Sequence, residues 1–356
     1  MTRGFFIGSV PIGGGSPVTV QSMTNTDTRD AAATLSQIRA LATAGADIVR
    51  VSVYDDECLA PFQEICKQSP VPIVADIHFR ADLAVGALER GAAKVRINPG
   101  NIGSAEKVKL VADCARAHGA PIRVGVNSGS LEKDVLAKYG GVTAEGMVES
   151  ALYHAALLEK AGFTNIVLSL KASDVPLTVK ACQLAAKACD YPLHLGVTEA
   201  GLLGEGHVKS AVGIGALLLM GIGDTLRVSL TGDPVPEVAA GISILKACGL
   251  RREGINIVSC PTCGRTGIDV EGIAARVQKE LADIKTPLTV AVMGCVVNGP
   301  GEAKEADLGL AGGGHGKGVI FRKGKPPETV EGDLAGQLIK RVRSFLIEQD
   351  GTDSNP

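Results

Sequence analysis

The sequence contains no tryptophan, and aromatic residues make up only 3% of its 356 residues. Neither charge is in strong excess, since 36 lysine and arginine residues are balanced by 38 aspartate and glutamate residues, for a net charge of −2. Proteins that coat nucleic acids or acidic membrane surfaces usually carry a basic surface. The balanced charge and the scarcity of aromatic residues therefore disfavour a nucleic-acid-binding module.

The sequence also lacks an apolar run of the roughly 18 to 20 residues that a membrane-spanning helix requires. The longest apolar stretch, 216–220, is flanked by glycines and is typical of a buried helix. Residues 1–20 are interrupted by glycines and show no convincing secretory cleavage pattern. We therefore expect a cytoplasmic protein with no membrane contact.

Nine cysteines, an odd number, are scattered through the chain without a secretory signal. A disulfide framework is not expected in such a chain, and reduced thiols are the default. Six cysteines occur in helix-like segments, where a small buried core residue is the simplest interpretation. These six are Cys58, Cys66, Cys114, Cys182, Cys189 and Cys248.

Hydrophobic residues make up 45% of the sequence, and the length is sufficient for two domains. Short β-branched runs alternate with alanine-rich amphipathic stretches from residue 18 to about residue 248. The runs are 18–23, 48–53, 72–77, 94–98, 122–126, 166–170, 193–197 and 225–230. Eight such repeats predict a (β/α)8 TIM-type barrel over residues 1–248. The alternative, a doubly wound open sheet, would usually show fewer repeats and a glycine fingerprint after its first strand.

The pattern changes after Cys248. Strands are predicted at 255–259, at 288–293, around Leu308 and at 319–322, with helices at 270–284 and 330–348. These elements predict a second, small α+β domain over residues 249–356. The glycine-rich stretch 312–318 is similar to a phosphate-binding loop, but Ala311 and Gly318 occupy positions where that motif requires Gly and Ser or Thr. A tight turn between strands is the better prediction.

Basic residues recur at the predicted carboxyl ends of the barrel strands, where barrel enzymes bind substrate. Five of the eight strands carry one: Arg50, Arg96, Arg123, Lys171 and Arg227. Polar residues on the same strand faces are Ser52, Asn98, Asn127 and Ser229. Only two acids, Asp76 and Glu199, occupy equivalent places, and His78 and His194 are counted as neutral. Internal ion pairs alone leave cations uncompensated, which favours a di- or polyphosphorylated small ligand.

The three remaining cysteines also follow predicted strands. Cys260 and Cys263 form a C-x2-C turn, and Cys295 follows the next strand. A zinc site completed by His315 is one interpretation. The other is a [4Fe–4S] cluster with three thiolates, in which Glu302 would be the exchangeable fourth ligand. Spacing alone leaves both open.

Taken together, these motifs resemble one family, the 4-hydroxy-3-methylbut-2-enyl diphosphate synthases of the methylerythritol phosphate pathway of isoprenoid biosynthesis. The resemblance covers nearly the whole chain, including both cysteine segments. It rests on QSMTNT (21–26), ADIHF (75–79), VRINPGN (95–101), RVGVN (123–127), SLKAS (169–173), HLGVTEAG (194–201) and RVSLTGDP (227–234). The chain lacks the large extra domain of plant-type members and is similar to the short bacterial form.

The resemblance implies an iron–sulfur domain similar to those of sulfite and nitrite reductases, with a [4Fe–4S] cluster on Cys260, Cys263, Cys295 and Glu302. It implies reduction of 2-C-methyl-D-erythritol 2,4-cyclodiphosphate, with flavodoxin or ferredoxin as electron donor. Glu199 would be the acid near the reacting carbons. A head-to-tail homodimer is also implied, in which each cluster domain caps the partner's barrel.

The same resemblance implies a diphosphate-binding set on the barrel, to which we add Asp76, His194 and Thr198 as candidate substrate-binding residues. The implied set is Arg50, Arg96, Asn98, Arg123, Asn127, Lys171, Arg227 and Ser229. A barrel aldolase or synthase with a structural zinc domain is the alternative.

Overall fold

Eight parallel strands form a nearly closed barrel in the computed structural model, which describes residues 1–102, 104–296, 305–314 and 316–352. A short hairpin of β1 and β2 precedes the barrel, over Phe5–Ile7 and Val10–Ile12. The barrel strands are β3 (Thr19–Met23), β4 (Ile48–Ser52), β5 (Ile73–Asp76), β6 (Lys94–Ile97), β7 (Ile122–Asn127), β8 (Ile166–Lys171), β9 (His194–Leu195) and β10 (Thr225–Leu226). The hydrogen-bonded order runs from β8 through β7, β6, β5, β4, β3 and β10 to β9. A parallel bridge between Leu168 and Leu193 brings β8 beside β9, so the predicted barrel is confirmed.

Helices follow the strands along the chain. They are α1 (Ala31–Thr43), α2 (Leu59–Gln68), α3 (Ala81–Glu89), α4 (Pro99–Ile102), α5 (Ala105–Ala117), α6 (Lys133–Tyr139), α7 (Ala144–Lys160), α8 (Val175–Ala188), α9 (Glu205–Leu219) and α10 (Val235–Ala247). Side chains of Asp30, Thr143 and Asp174 accept backbone N–H groups at the first turns of α1, α7 and α8, as helix starts require. Aliphatic side chains from strands and helices form one core between the two layers.

The second unit is an α+β sheet domain. Its strands are β11 (Ile255–Ser259), β12 (Leu288–Met293), β13 (Leu308–Gly314), β14 (Lys317–Arg322) and β15 (Lys325–Glu331), paired in that order. The first three are parallel and the last two antiparallel. The helices described in this unit are α11 (Val270–Glu280) and α12 (Leu334–Thr352), whose apolar faces share one core with the sheet.

The chain divides into two compact units, Met1–Arg251 and Arg252–Pro356, whereas the sequence placed the boundary after Cys248. The second unit differs from the prediction in one strand and in its helix bounds. The sequence did not predict β15, the helix predicted at 270–284 ends at Glu280, and the last helix covers Leu334–Thr352 rather than 330–348. No helix in the described ranges is both long enough and apolar enough to cross a membrane.

Candidate active site

Strand β7 shows how the sequence builds the candidate site. Ile122, Val124 and Val126 belong to the core between strands and helices. Since successive side chains of a strand point to opposite faces, Arg123 and Asn127 face the other way, into the barrel. Arg123 is 1% exposed, and its Nε and Nη1 atoms have no hydrogen-bond partner within the described part of the chain.

Asp76, at the end of β5, is the carboxylate around which three basic groups gather. Its Oδ1 lies 3.4 Å from Nη1 of Arg96, and its Oδ2 lies 3.8 Å from Nε of Arg50 and 3.6 Å from Nε2 of His78. Burial favours the neutral acid, but the charges of Arg50 and Arg96 and the hydrogen bond from His78 outweigh it. They hold the pKa of Asp76 well below its usual range. Asp76 is therefore an anion that is already paired with Arg50 and Arg96.

Arg227 has its own acidic partner, Glu237 on α10. Nε of Arg227 lies 3.3 Å from Oε2 of Glu237, whose Oε1 accepts the backbone N–H of Leu230 at 2.8 Å. Met23 connects this pair to the Asp76 group, because its sulfur lies 2.8 Å from Nη2 of Arg50 and 3.4 Å from Nη1 of Arg227. Sequence reasoning missed Glu237.

Lys171, at the end of β8, is 8% exposed. Desolvation, followed by the charges of Arg123, Arg50 and Arg227, lowers its pKa well below the usual lysine value. The pKa of Arg123 is also lowered, first by burial and then by the charges of Arg50 and Arg96. The described contacts include no acidic partner for either side chain. An anionic ligand would relieve both costs.

Lys94 is a further interior cation that sequence reasoning missed. It is fully buried, and its Nζ donates to Oε1 of Gln21 at 3.2 Å. Desolvation, with the charges of Arg123 and Arg50, lowers its pKa well below the usual value. Strand alternation could have revealed it, because Lys94 lies two residues before Arg96 on the same strand face.

His194 lies in the same interior. Its Nδ1 is 3.4 Å from Oγ1 of Thr225, and its Nε2 has no partner in the described ranges. Burial, and then the charge of Lys171 and other neighbouring cations, lower the pKa of His194 well below its usual value. Its imidazole is therefore neutral, as the sequence-based count assumed.

The other candidate substrate-binding residues lie where these strands end. Asn98, directly after β6, is buried, and Asn127 and Ser229 are half-buried. Thr198 is half-buried, and its backbone N–H donates to the carbonyl of Ala172 at 3.2 Å. Their roles toward a substrate stay predictions.

Glu199 follows Thr198 and is exposed. It is the one described non-glycine residue with a positive φ, at 52°. This conformation is uncommon for a non-glycine residue and occurs preferentially at functional sites. No ion pair between Glu199 and Lys171 occurs among the described contacts.

The second unit places its cysteines at the carboxyl edge of two adjacent parallel strands. Ser259 pairs with Val292 in register, so Cys260 and Cys295 follow neighbouring strand ends. The Cys260 sulfur accepts the backbone N–H of Gly294 at 3.1 Å. Hydrogen bonds from the backbone and side chain of Arg265 lower the pKa of the exposed Cys263 thiol.

These features fit thiolate ligands, since a backbone N–H donor and a lowered thiol pKa both favour the anionic sulfur. Glu302 and His315, the rival candidates for the fourth ligand, lie outside the described residues. Among the residues that are described, no three His, Cys, Asp or Glu side chains form a group that could hold a metal ion. The ligand set stays a prediction.

Comparison with protein families gives two matches that together cover most of the chain. Residues 2–242 match the GcpE TIM-barrel domain, and residues 256–344 match the GcpE protein C-terminal domain. A relative from Caldanaerobacter subterraneus subsp. tengcongensis is 57% identical over 98% of this chain and 98% of its own length. One from Geobacter sulfurreducens is 58% identical over 98% of this chain and 99% of its own. Both are named 4-hydroxy-3-methylbut-2-en-1-yl diphosphate synthase (flavodoxin).

Solved structures give a likeness of fold alone. Dihydropteroate synthase from Yersinia pestis has a TM-score of 0.50 and 11% identity, over 70% of this chain and 100% of that one. A type I 3-dehydroquinate dehydratase from Clostridium difficile also has a TM-score of 0.50, with 13% identity, over 69% of this chain and 97% of that one. At such low identity the likeness carries no argument about substrate.

Proposed function

The chain belongs to the family of 4-hydroxy-3-methylbut-2-en-1-yl diphosphate synthases, and from this membership we propose the reaction that it catalyses. The substrate is 2-C-methyl-D-erythritol 2,4-cyclodiphosphate. Two electrons and the accompanying protons open its ring and remove one hydroxyl as water. The product is the linear allylic 4-hydroxy-3-methylbut-2-enyl diphosphate. A cytoplasmic location is part of the same proposal.

The observation that carries this proposal is the buried, incompletely paired cationic interior of the barrel. Arg123 has two guanidinium nitrogens without a described partner, and Asp76 and Glu237 already bind Arg50, Arg96 and Arg227. A diphosphate supplies several anionic oxygens in one ligand. Arginine suits such oxygens because its planar fork can donate two parallel hydrogen bonds.

We assign the diphosphate to the basic residues of the barrel mouth, with hydroxyl and amide groups completing its hydrogen bonds. The set is Arg50, Arg96, Asn98, Arg123, Asn127, Lys171, His194, Thr198, Arg227 and Ser229, with Asp76 orienting Arg50 and Arg96. Burial disfavours the protonated form of Lys171 before the ligand arrives. The negative charge of the diphosphate favours the protonated form, so a bound diphosphate would offset this cost and accept hydrogen bonds from the ammonium group.

Glu199 is assigned as the proton donor to the departing hydroxyl. Its exposed position beside Thr198 leaves it accessible at the mouth, and its positive φ fixes an unusual backbone direction there. A general acid placed in this way contributes typically about 10²- to 10⁴-fold in rate. The Glu199→Gln variant keeps the shape and loses the proton, so turnover falls while substrate binding remains.

The residues proposed to hold a [4Fe–4S] cluster are Cys260, Cys263, Cys295 and Glu302. When bound, the cluster supplies single electrons and a Lewis-acidic iron for the leaving oxygen. The backbone N–H of Gly294, which lies 3.1 Å from the Cys260 sulfur, would donate to that sulfur when it serves as a ligand. A carboxylate is a hard ligand and exchanges more readily than a thiolate, so Glu302 would be the exchangeable fourth ligand.

Electrons are proposed to arrive from flavodoxin, the donor in the relatives' names, or from ferredoxin. We also propose a head-to-tail homodimer. The short segment between α10 and β11 motivates it, since the last barrel helix of a (β/α)8 fold runs away from the mouth. Mixing Lys171→Ala with Glu302→Ala chains tests the dimer. Activity in verified mixed dimers supports it, and inactive mixed dimers refute it.

The alternative is a phosphate-binding aldolase or synthase with a structural zinc domain. Purification without oxygen, followed by assays for iron, acid-labile sulfide and zinc, separates the two. We expect about four irons and four sulfides per chain with negligible zinc. About one zinc without sulfide would replace the reductive proposal with the alternative.

A further inference from the structure

Gly125 lies in the middle of β7, where a glycine ordinarily weakens a strand because it adds no packing and has more freedom to lose on folding. Its φ lies outside the left-handed region, so the backbone there is open to other residues. Strand geometry therefore does not explain the glycine. The reason must lie in the space beside its α-carbon.

That space is occupied by Arg96. A Cβ atom added at Gly125 would lie 2.8 Å from Nε, 3.1 Å from Nη2 and 3.4 Å from Cζ of Arg96. These three atoms are the nearest heavy atoms to the added carbon, and all belong to one guanidinium. A non-bonded carbon is not accommodated at 2.8 Å, so one group would have to move.

Arg96 has little freedom to move away. On the side of β5, its Nη1 lies 3.4 Å from Oδ1 of Asp76 and 3.2 Å from Nδ1 of His78. The side chain is 10% exposed. A methyl group at Gly125 would therefore push the guanidinium against or past Asp76 and His78.

We propose that Gly125 is a positioning residue, whose missing side chain makes the slot that holds the Arg96 guanidinium in the anion-binding mouth. This inference rests on the proposed function for its ligand. Gly196 stands in the same relation to Lys171, because a Cβ there would lie 2.5 Å from Nζ of Lys171. That carbon would also lie 2.7 Å from the backbone carbonyl oxygen of Arg227. Gly125 therefore offers the cleaner test.

The test uses the full chain purified without oxygen. The dissociation constant of inorganic pyrophosphate and the steady-state constants for the cyclodiphosphate are measured for Gly125→Ala. We expect pyrophosphate binding to weaken, and KM to rise, about tenfold or more, with kcat changed less than threefold. This split is expected when a contact that is equally strong in the ground state and the transition state is lost. Gly129→Ala is the matched control, because no atom lies within 4 Å of a Cβ there.

A double-mutant cycle shows whether the effect passes through Arg96. We expect Arg96→Ala, which removes Nε and the rest of the guanidinium, to weaken pyrophosphate binding, and Gly125→Ala to have no further effect in the R96A background. An equal loss in both backgrounds, or wild-type affinity in Gly125→Ala alone, overturns the inference. If Gly125→Ala alone does not fold, G125A/R96A should fold and melt at the temperature of R96A. A double variant that also fails to fold places the clash elsewhere and overturns the inference.

The two proposals can fail separately. A wild-type protein that binds neither pyrophosphate nor the cyclodiphosphate contradicts the anion site. The melting temperatures of the same four proteins still test Gly125. A decrease in melting temperature caused by Gly125→Ala with Arg96 present, and no such decrease in the R96A background, supports the slot. Equal decreases in both backgrounds reject it.

Discussion

Arg227 and Glu237 form a buried ion pair, with Nε of Arg227 at 3.3 Å from Oε2 of Glu237. Their sequence separation spans the turn from β10 into α10, and Glu237 also accepts the backbone N–H of Leu230 in that turn at 2.8 Å. The carboxylate therefore fixes both a cation of the mouth and the loop that carries Ser229. Glu237 therefore compensates the charge of Arg227 within the protein, whereas Arg123 remains available to bind an anionic ligand.

Replacing Glu237 with glutamine should lower the free energy of unfolding of the barrel by about 2 kcal/mol. Removing one member of a buried pair leaves the other charge uncompensated, and the 16% exposure of the Arg227 side chain moderates the loss. Chemical unfolding followed by circular dichroism measures it. Glu280→Gln, which breaks the exposed pair with Arg276, is the control and should leave stability unchanged. An equal loss of stability in both variants would show that the buried pair contributes no more than the exposed one.

His194 should make the barrel less stable in mild acid. Its pKa in the folded chain is lowered by burial, so below about pH 6.5 the unfolded chain binds a proton that the folded chain does not. Between pH 7.5 and 5.5 this costs about 1.4 kcal/mol of unfolding free energy. His194→Gln should lose less stability by that amount over the same interval. His118→Gln, at an exposed position, should follow the wild-type pH profile, and identical profiles for all three proteins would contradict the assignment.

Lys94→Met should stabilise the barrel by about 1 to 2 kcal/mol at pH 7, because an apolar side chain of similar length removes the cost of burying an amine. The pKa of Lys94 is lower in the folded chain than in the unfolded one, so wild-type stability rises with pH up to about 10. The gain in Lys94→Met should therefore shrink between pH 7 and pH 10. Lys160→Met, on the exposed end of α7, is the control. A destabilised Lys94→Met would show that the amine stabilises the interior.

Cys260→Ser should remove most of the iron from protein purified without oxygen, because serine does not replace a thiolate in a soft-metal site. Cys182→Ala is the matched control. Its thiol is buried, and burial raises its pKa to about 12, so it is not available as a thiolate. Iron and sulfide assays on both variants test whether Cys260 is a cluster ligand. Full iron content in Cys260→Ser, or equal loss in Cys182→Ala, would refute the assignment.

The barrel could be predicted because β-branched runs and amphipathic stretches alternate regularly along the sequence. The eight β-branched runs predicted as strands overlap all eight barrel strands, and the run at 166–170 differs from β8 only by Lys171. The same alternation places Arg123 inside. Applied one step further it identifies Lys94, since residues 94, 96 and 98 share a face.

Glu237 could not be identified in this way. Along the chain it is one polar residue near the start of a helix, where an acid favours the helix dipole. Only the packing of α10 against β10 brings it to Arg227. The slot at Gly125 could not be identified from the sequence either, because a glycine in a strand does not indicate which side chain lies beside its α-carbon.

The second unit shows a different limit. Strand β15 contains Pro326 and Pro327 and, among the strands that the structure describes, pairs only with β14. Prolines argue against a strand in the middle of a sheet but are tolerated at an edge, and edge position is a tertiary property. Without β15, the last helix is predicted to begin too early, at residue 330 rather than Leu334.

The most direct test of the proposed function is a single anaerobic turnover assay. Protein with its full content of iron and sulfide is mixed with 2-C-methyl-D-erythritol 2,4-cyclodiphosphate and chemically reduced flavodoxin, and the products are identified by mass spectrometry. We expect 4-hydroxy-3-methylbut-2-enyl diphosphate, with two electrons consumed per molecule formed, and we expect no product from Lys171→Met. Unchanged cyclodiphosphate after oxidation of the flavodoxin, or a product formed without electron consumption, would contradict the proposed function.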